Sequence, residues 1–285
     1  MEVRAVELIT TPLHTSVGPF SVAQPLPTHA LRYADPFLLL HHAGPHTFPP
    51  GSEGAKIEAH PHRGFEPVTF VFQGSVLHRD SLGNQGVIGA GEVQWITSGS
   101  GIVHEEGPTP QMARDGGTVE LIQLWVNLPA QRKMMRPAYQ ELRTDAIPSV
   151  QSAGGAVTLH VVSGELHGVR GPAITQSTVI TAMGTMQAGG RGVVDVPPVP
   201  TVVLYVLSGR VRVNHTHVVE GQRLVMFGTT GTGFHVDVEE SGSMLLLAGE
   251  PLNEPMVQYG PFVMNTEEEI REAFRDVARG AFGTL

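Results

Sequence analysis

The sequence contains no cysteine among its 285 residues. Disulfides and thiolate ligands are therefore excluded, and any metal site must be built from His, Asp or Glu side chains. The beginning of the chain shows no basic-then-apolar signal peptide, and apolar runs such as Phe37 to Leu40 are far too short to cross a bilayer. We therefore expect a soluble, cytoplasmic protein.

Positive charge is also scarce. The chain has 18 Lys and Arg against 27 Asp and Glu, which gives a formal net charge of -9. A negative surface repels phosphate, and no basic run offers a local exception. The sequence thus predicts no direct nucleic-acid binding and no membrane partner.

Glycine and proline are plentiful, with 34 and 22 residues, while 41% of the chain is apolar. Short apolar runs alternate with Gly, Pro and Asn, and no long helical period separates them, which favours an all-β protein over parallel βαβ units. The predicted strands are Val68–Gln73, Val76–Asp80, Glu92–Thr97, Thr118–Leu128, Val157–Val162, Ile174–Ala182, Thr201–Leu207, Arg210–Asn214, Gln222–Phe227 and Met244–Leu247.

The two halves of the chain resemble each other. The segment 70–76 matches 205–211, since each is an apolar strand, a Gly turn at Gly74 or Gly209, and a further strand. Such weak repetition predicts a duplicated β-domain rather than a solenoid. We expect one domain over residues 1–135, a linker over 130–147, and a second domain over 136–285.

The C-terminal segment departs from the β pattern. Thr266 and Glu269 have the spacing of a capping box, with Thr266 as the N-cap. Apolar residues then follow at helical spacing, and Gly280 is a plausible stop. The sequence predicts a helix that packs against the second domain.

Four side chains in the first half carry the strongest chemical signal. His60 and His62 are spaced i, i+2, as are His104 and Glu106. In extended strands such pairs point to one face, so two adjacent strands can direct three imidazoles and a carboxylate at one ion. This nitrogen and oxygen ligand set is typical of a site for a divalent metal with open positions.

Other polar residues are weaker candidates. His78 and Asp80 form another i, i+2 pair that could orient a ligand imidazole, although a solvated strand face is the favoured interpretation. Glu66 is the remaining carboxylate near the first pair, as a fifth ligand or a base. His215 and His217 in the second half have no His-x-Glu partner, so a second metal site is not expected there.

Four segments together resemble the pirin family of the cupin superfamily, and the resemblance covers nearly the whole chain. They are His60-Pro61-His62-Arg63-Gly64-Phe65-Glu66, the run from Gly91 to Trp95, the run from Gly99 to Glu106, and Asn253 to Thr266. The resemblance implies two cupin-type, jelly-roll-like β-barrel domains with a C-terminal α-helix. It also implies that His60, His62, His104 and Glu106 hold one metal ion, usually iron.

One segment departs from the family pattern. After the run from Asp35 to Leu40, pirins usually continue with acidic residues, whereas this chain has His41 and His42. Because adjacent residues on a strand point to opposite faces, we expect the side chains of His41 and His42 to point in opposite directions.

Similarity to pirins implies an iron(II)-dependent dioxygenase that cleaves flavonols such as quercetin with O2, although Mn, Ni, Cu, Co or Zn would also fit the ligands. Glu106 or Glu66 would accept the hydroxyl proton of the substrate, and Arg63 at the pocket mouth would attract an anionic substrate. The main alternative is a redox-dependent regulatory protein that binds a transcription factor or a metabolic enzyme. A purely structural metal is a third interpretation, which the absence of cysteine disfavours.

Overall fold

The computed structural model describes residues 2–52 and 56–285, and strands make up most of it. No helix in these residues is long and apolar enough to cross a membrane. The strands, in chain order, are β1 (Val6–Thr10), β2 (Leu13–Val17), β3 (Phe20–Leu26), β4 (Phe37–Phe48), β5 (Ile57–His62), β6 (Phe65–Gln73), β7 (Ser75–Asp80), β8 (Gln85–Gly89), β9 (Val93–Thr97), β10 (Ile102–Pro108), β11 (Gly117–Asn127), β12 (Ala138–Leu142), β13 (Ser149–Gln151), β14 (Val157–Ser163), β15 (Glu165–Leu166), β16 (Val169–Arg170), β17 (Val179–Met186), β18 (Arg191–Asp195), β19 (Thr201–Val206), β20 (Arg210–Val213), β21 (His217–Glu220), β22 (Arg223–Phe227), β23 (Gly233–Glu240), β24 (Gly242–Gly249), β25 (Val257–Tyr259) and β26 (Phe262–Met264). The helices are α1 (Pro110–Asp115), α2 (Glu267–Ala278) and a 3-10 turn at Ala130–Arg132.

The strands form two compact units, which confirms the predicted all-β class with two cupin domains and a C-terminal helix. The histidine unit contains His14–Val22, Phe37–Arg143 and Leu252–Leu285, and the companion unit contains Met1–Leu13, Ala23–Pro36 and Thr144–Pro251. The units therefore differ from the predicted contiguous division at 135/136. The N-terminal segments Met1–Leu13 and Ala23–Pro36 belong to the companion unit, which is otherwise built by the second half of the chain. The C-terminal segment Leu252–Leu285 belongs to the histidine unit, which is otherwise built by the first half.

The companion unit is a pair of antiparallel sheets around an aliphatic core. Its larger sheet has the order β1-β22-β19-β24-β17-β14-β13, and its smaller sheet has the order β18-β23-β20-β21. In β23, Phe234, Val236 and Val238 are buried while the residues between them are partly exposed. This period-2 alternation fills the interior with apolar side chains.

The histidine unit repeats this arrangement. Its larger sheet has the order β12-β9-β6-β11-β4-β3-β2, and its smaller sheet has the order β5-β10-β7-β8. Strand β10 lies between β5 and β7, as β23 lies between β18 and β20. In β10, however, the inward positions after Ile102 are His104 and Glu106. The same fold thus places polar side chains where the companion unit has apolar residues.

The predicted repeat around Gly74 and Gly209 coincides with this duplication. Gly74 separates β6 from β7, and Gly209 lies between β19 and β20. The prediction of a linker over 130–147 was wrong in part, because β12 pairs with β9 at the edge of the larger sheet. Strand β1 occupies the matching place beside β22 in the companion unit.

The C-terminal helix begins as predicted. Thr266 Oγ1 accepts the Glu269 N–H at 3.2 Å, and Glu269 Oε2 accepts the Thr266 N–H at 2.8 Å. The helix belongs to the histidine unit rather than to the second domain. On its apolar face, Ile270 and Ala273 pack with Phe262, Met264 and Phe282 of the C-terminal segment.

Candidate metal centre

Strand register brings the candidate ligands together. Antiparallel pairing sets His104 of β10 opposite His60 of β5 on one side and opposite Asp80 of β7 on the other. In the next row, Glu106 lies opposite Ile57 and His78. Because residues two apart on a strand share a face, His62 and Glu106 extend the cluster along β5 and β10.

The imidazole rings of His60, His62 and His104 lie close together. Ring centroids are 4.7 Å apart for His60 and His62, 4.3 Å for His60 and His104, and 4.9 Å for His62 and His104. One nitrogen of each ring lies within 4.8 Å of the others. His62 and His104 are buried, and His60 is half-buried. The histidines predicted from the sequence therefore form one cluster with a partly accessible edge.

Hydrogen bonds to backbone carbonyl groups show which ring nitrogens of His60 and His62 remain available to bind a metal ion. His60 Nδ1 lies 2.8 Å from the Glu58 carbonyl oxygen, and His62 Nδ1 lies 3.4 Å from that of Pro261. A carbonyl only accepts, so each Nδ1 must carry the proton and each Nε2 of the neutral ring presents a lone pair. The buried His62 Nε2 has no hydrogen-bond partner among the described residues. This arrangement is the one that a metal ion requires of imidazole.

Burial keeps two of the rings uncharged. It lowers the pKa of His62 well below the ordinary value, and the neighbouring His60 lowers it further. Burial likewise lowers the pKa of His104, with additional repulsion from His62, His60 and His78. Neutral imidazoles at physiological pH are ready to coordinate, because no proton has to leave first.

Glu106 joins the cluster through His104. Its carboxylate, His104 and His78 form a second group whose donor atoms lie within 4.8 Å of one another. Oε1 of Glu106 accepts hydrogen bonds from Gln94 Nε2 at 2.7 Å and Thr69 Oγ1 at 3.3 Å, while Oε2 accepts a longer one of 3.4 Å from Gln123. His104 is therefore common to both groups, and Glu106 does not belong to the group of His60 and His62 in this structure.

His78 and Asp80 do not form the solvated strand face that the sequence favoured. Both are buried, and His78 Nε2 lies 3.1 Å from Asp80 Oδ2. The side chain of Asn84 and the backbone N–H groups of Leu82 and Asn84 also donate to Asp80. Burial raises the pKa of Asp80, but the hydrogen bonds from His78 and Asn84 outweigh it, so the pKa is lowered overall. The i, i+2 spacing was visible in the sequence, whereas the burial of both residues was not.

Glu66 is not a member of either group, and the guanidinium of Arg63 binds other residues. Glu66 is buried in β6 and accepts a hydrogen bond of 2.7 Å from Thr97. Arg63 is also buried: its guanidinium bonds Ser100 O and Asp276 Oδ2, each at 2.7 Å, and lies over the Phe282 ring. The predicted position of Arg63 at a pocket mouth is therefore wrong, since its charge is paired inside the unit.

An apolar pocket begins at Glu106. The polar part of its lining consists of His41, Glu106 and Gln123. Apolar residues from β2, β3, β4 and β11 form most of the remaining wall, including Phe20 and Phe48. His42, the neighbour of His41, points the other way and pairs with Glu120 at 3.0 Å. The predicted opposite orientation of the two histidines is confirmed.

The donor set fits a divalent metal. Neutral imidazole nitrogens with a carboxylate suit iron, manganese, nickel, copper, cobalt and zinc. The buried His62 Nε2 and both nitrogens of His104 have no other partner among the described residues. Over the described part of the companion unit, no cluster of metal-ligating side chains is found.

Comparison with known proteins agrees with this geometry. The family model "Pirin" matches residues 19–126, and "Pirin C-terminal cupin domain" matches residues 181–283. A pirin-like protein of Caulobacter vibrioides is 42% identical over 227 residues, which are 78% of this chain and 79% of that protein. A Pseudomonas aeruginosa protein named "Putative quercetin 2,3-dioxygenase" is 41% identical over 251 residues, 88% of this chain and 87% of its own length.

A solved structure is similar over almost the full length. The crystal structure of quercetin 2,3-dioxygenase from Acinetobacter baumannii has a TM-score of 0.93 and 39% sequence identity, and the match covers 99% of each chain. The duplicated fold, the cluster of histidines and both family matches lead to one conclusion. This chain belongs to the pirin family.

Proposed function

We propose that this protein is a metal-dependent dioxygenase that acts on flavonol-type substrates, with iron(II) as the expected metal. The observation that carries the proposal is the position of Glu106, which joins the histidine cluster on one side and lines the apolar pocket on the other. The names of the similar proteins from Pseudomonas aeruginosa and Acinetobacter baumannii support the same reaction.

His60, His62, His104 and Glu106 would hold the metal. Bound iron(II) with open positions would supply the activation of dioxygen. The protein contributes to this chemistry by keeping the ligands in the protonation state and orientation that metal binding requires. Burial keeps His62 and His104 neutral, and the hydrogen bonds from Gln94 and Thr69 hold the Glu106 carboxylate in one orientation.

The lining of the pocket is chemically suited to an aromatic substrate. Phe20, Phe48 and the aliphatic wall remove water from its rings, while His41, Gln123 and Glu106 offer polar contacts at one end. Among the described residues, Oε2 of Glu106 receives only the long hydrogen bond from Gln123, and it is the atom that would accept the substrate's hydroxyl proton. Glu66 of β6 accepts a hydrogen bond from Thr97 of β9, so its proposed role as a base is the weaker one.

Turnover is the direct test. Protein loaded anaerobically with iron(II) should consume quercetin when O2 is admitted, with loss of flavonol absorbance and release of one carbon monoxide per substrate. Glu106→Gln should lose this activity because the amide cannot take up the hydroxyl proton. His29→Ala, at an exposed site outside the cluster, should keep it. Absence of carbon monoxide with every metal tried would contradict the proposal.

A redox-dependent regulatory role is the second candidate, favoured by the contacts of the C-terminal segment. Pro261 accepts the His62 N–H, and the following helix pairs with Arg63, so a change of charge at the metal would act on residues that reach the surface. Binding of a defined transcription factor or metabolic enzyme should then differ between iron(II) and iron(III) forms. Equal binding by both forms would exclude this role.

A further inference from the structure

We propose that His78 is a positioning residue for His104: its Nδ1 accepts the ring N–H of His104 that the metal does not use, and Asp80 fixes the tautomer that makes this possible. The inference depends on the proposed metal-binding role of His104. It concerns a hydrogen bond that the metal-free protein should also contain.

Asp80 determines where the proton of His78 lies. The carboxylate accepts hydrogen bonds from Leu82 N at 2.9 Å and Asn84 N at 3.0 Å through Oδ1, and from Asn84 Nδ2 at 2.9 Å through Oδ2. A group with so many donors is an acceptor toward His78 as well. His78 Nε2 therefore carries the proton, and Nδ1 presents its lone pair.

The ring that carries this lone pair lies beside the cluster. His78 Nδ1 is buried and has no hydrogen-bond partner among the described residues. Cross-strand register places His78 beside Glu106, one row from His104, and the rings of His78 and His104 are 5.5 Å apart. Donor atoms of His78, His104 and Glu106 lie within 4.8 Å of one another. Tyr139 stacks on His78 at 4.8 Å with an angle of 10°, which holds the ring in this orientation.

His104 needs such an acceptor. A neutral imidazole carries one N–H, and neither nitrogen of His104 has a partner in the described part of the chain. When one nitrogen binds a metal, the other normally donates to a fixed acceptor, which sets ring orientation and basicity. His78 Nδ1 is the unpaired acceptor in the same group of side chains, so a hydrogen bond between the two rings would satisfy both.

The inference makes Asp80, His78 and His104 one chain of hydrogen bonds that ends at the metal. Asp80→Asn should break it. The backbone N–H groups of Leu82 and Asn84 would keep the amide oxygen of the new side chain, so its NH2 group would face His78 Nε2. His78 would then hold its proton on Nδ1 and could no longer accept from His104.

Ring nitrogen NMR of the metal-free protein tests the hydrogen bond without any metal. The wild type should show His78 protonated on Nε2 and a hydrogen-bonded N–H on His104 that disappears in His78→Phe. In Asp80→Asn the proton of His78 should move to Nδ1. A His78 ring protonated on Nδ1 in the wild type would overturn the proposal, whether or not the protein binds metal.

Affinity for cobalt(II), measured by competition with a chelator, tests the consequence. His78→Phe and Asp80→Asn should weaken binding by about 10- to 100-fold and shift the visible cobalt(II) spectrum. His78→Asn, whose amide oxygen can replace Nδ1 as acceptor, should restore most of the affinity. Tyr139→Phe keeps the stacked ring and serves as the packing control, with unchanged affinity expected.

The outcomes separate this inference from the proposed function. Wild-type affinity in His78→Phe would overturn the positioning role, and complete loss of cobalt(II) in that variant alone would make His78 a ligand instead. Failure of the wild type to bind any metal, with the NMR hydrogen bond present, would overturn the proposed function but not the contact between His78 and His104.

Discussion

Arg63, which directly follows the metal-ligand candidate His62, forms a buried ion pair of 2.7 Å with Asp276 of the C-terminal helix. The Phe282 ring covers its guanidinium, and the Val263 N–H donates to the Arg63 carbonyl at 3.1 Å. The C-terminal segment is therefore bound to the strand end that carries the histidines. Stability of that segment and geometry of the site are coupled through these contacts.

Loss of the Asp276 charge should destabilise the protein. The hydrogen bond from Arg63, followed by that from Arg279, lowers the pKa of Asp276. We expect Asp276→Asn to reduce the free energy of unfolding by about 3 kcal/mol at pH 7, because a buried guanidinium loses its partner. Since a lowered pKa stabilises the fold above the unfolded value of about 3.9, the difference should shrink as pH falls through the native pKa.

Urea unfolding of the wild type and of Asp276→Asn at several pH values measures the difference in their free energies of unfolding. Asp115→Asn is the matched control, because Asp115 forms an exposed pair with Arg114 that contributes at most about 1 kcal/mol. A loss for Asp276→Asn that is equally small, or that does not depend on pH, would contradict the coupling.

Removal of one imidazole should abolish stable metal binding. We expect His62→Ala, purified without added metal, to retain less than about a tenth of the metal of the wild type by elemental analysis, because only three ligands remain. His29→Ala should retain the full amount. Chelation of the wild-type metal should lower Tm, since an ion that binds the native state stabilises it by mass action. Equal metal content in His62→Ala and wild type would place the ion elsewhere.

The close approach at Gly64 predicts a large effect of a single methyl group. A Cβ on Gly64 would lie 2.0 Å from the Val263 carbonyl oxygen, and the residue has a φ of +87°. Gly64→Ala should therefore cost more than about 3 kcal/mol of stability and reduce metal affinity through His62.

Gly260 supplies the matched control. It too has a positive φ, of +56°, but no atom lies within 4 Å of its would-be Cβ. Gly260→Ala should cost only about 1 kcal/mol from backbone strain. Similar losses in the two variants, measured by denaturant unfolding, would show that the contact with Val263 does not matter.

The His41 imidazole should affect which ligands enter the pocket. Burial lowers its pKa to about 4, so it is neutral at pH 7. His41→Asp would add a second carboxylate beside Glu106, and we expect it to weaken quercetin binding about 10-fold, as repulsion of an anionic flavonol requires. His41→Asn, which adds no charge, should bind almost normally. Quenching of tryptophan fluorescence measures the Kd; equal weakening in both variants would contradict an electrostatic effect.

The pH dependence of protein stability should also reflect the lowered pKa of His41. Because its native pKa lies below the unfolded value of 6.5, the fold gains stability from this group above pH 6.5 and loses it as pH falls toward 4. His41→Gln should therefore become progressively more stable relative to the wild type between pH 6.5 and 4. Parallel curves of Tm against pH for the two proteins would exclude the effect.

Local patterns accounted for much of the fold and of the candidate site. The spacing of His60 with His62 and of His104 with Glu106 needs only the two-residue period of a strand, and the capping box of α2 needs only Thr266 and Glu269. The burial of His78 was not predicted, because the two-residue period of a strand does not show which of its faces points into the protein. Arg63 was misplaced because its partner, Asp276, is 213 residues away in the chain.

The sequence by itself determined the β architecture, its duplication and the identity of the side chains available for metal binding, since these depend on composition and short-range periodicity. Tertiary structure alone decided that the C-terminal helix joins the histidine unit, that His78 lies buried beside His104, and that Glu106 faces an apolar pocket. The physical reason is that pairing between distant strands sets the register, and register decides which side chains meet.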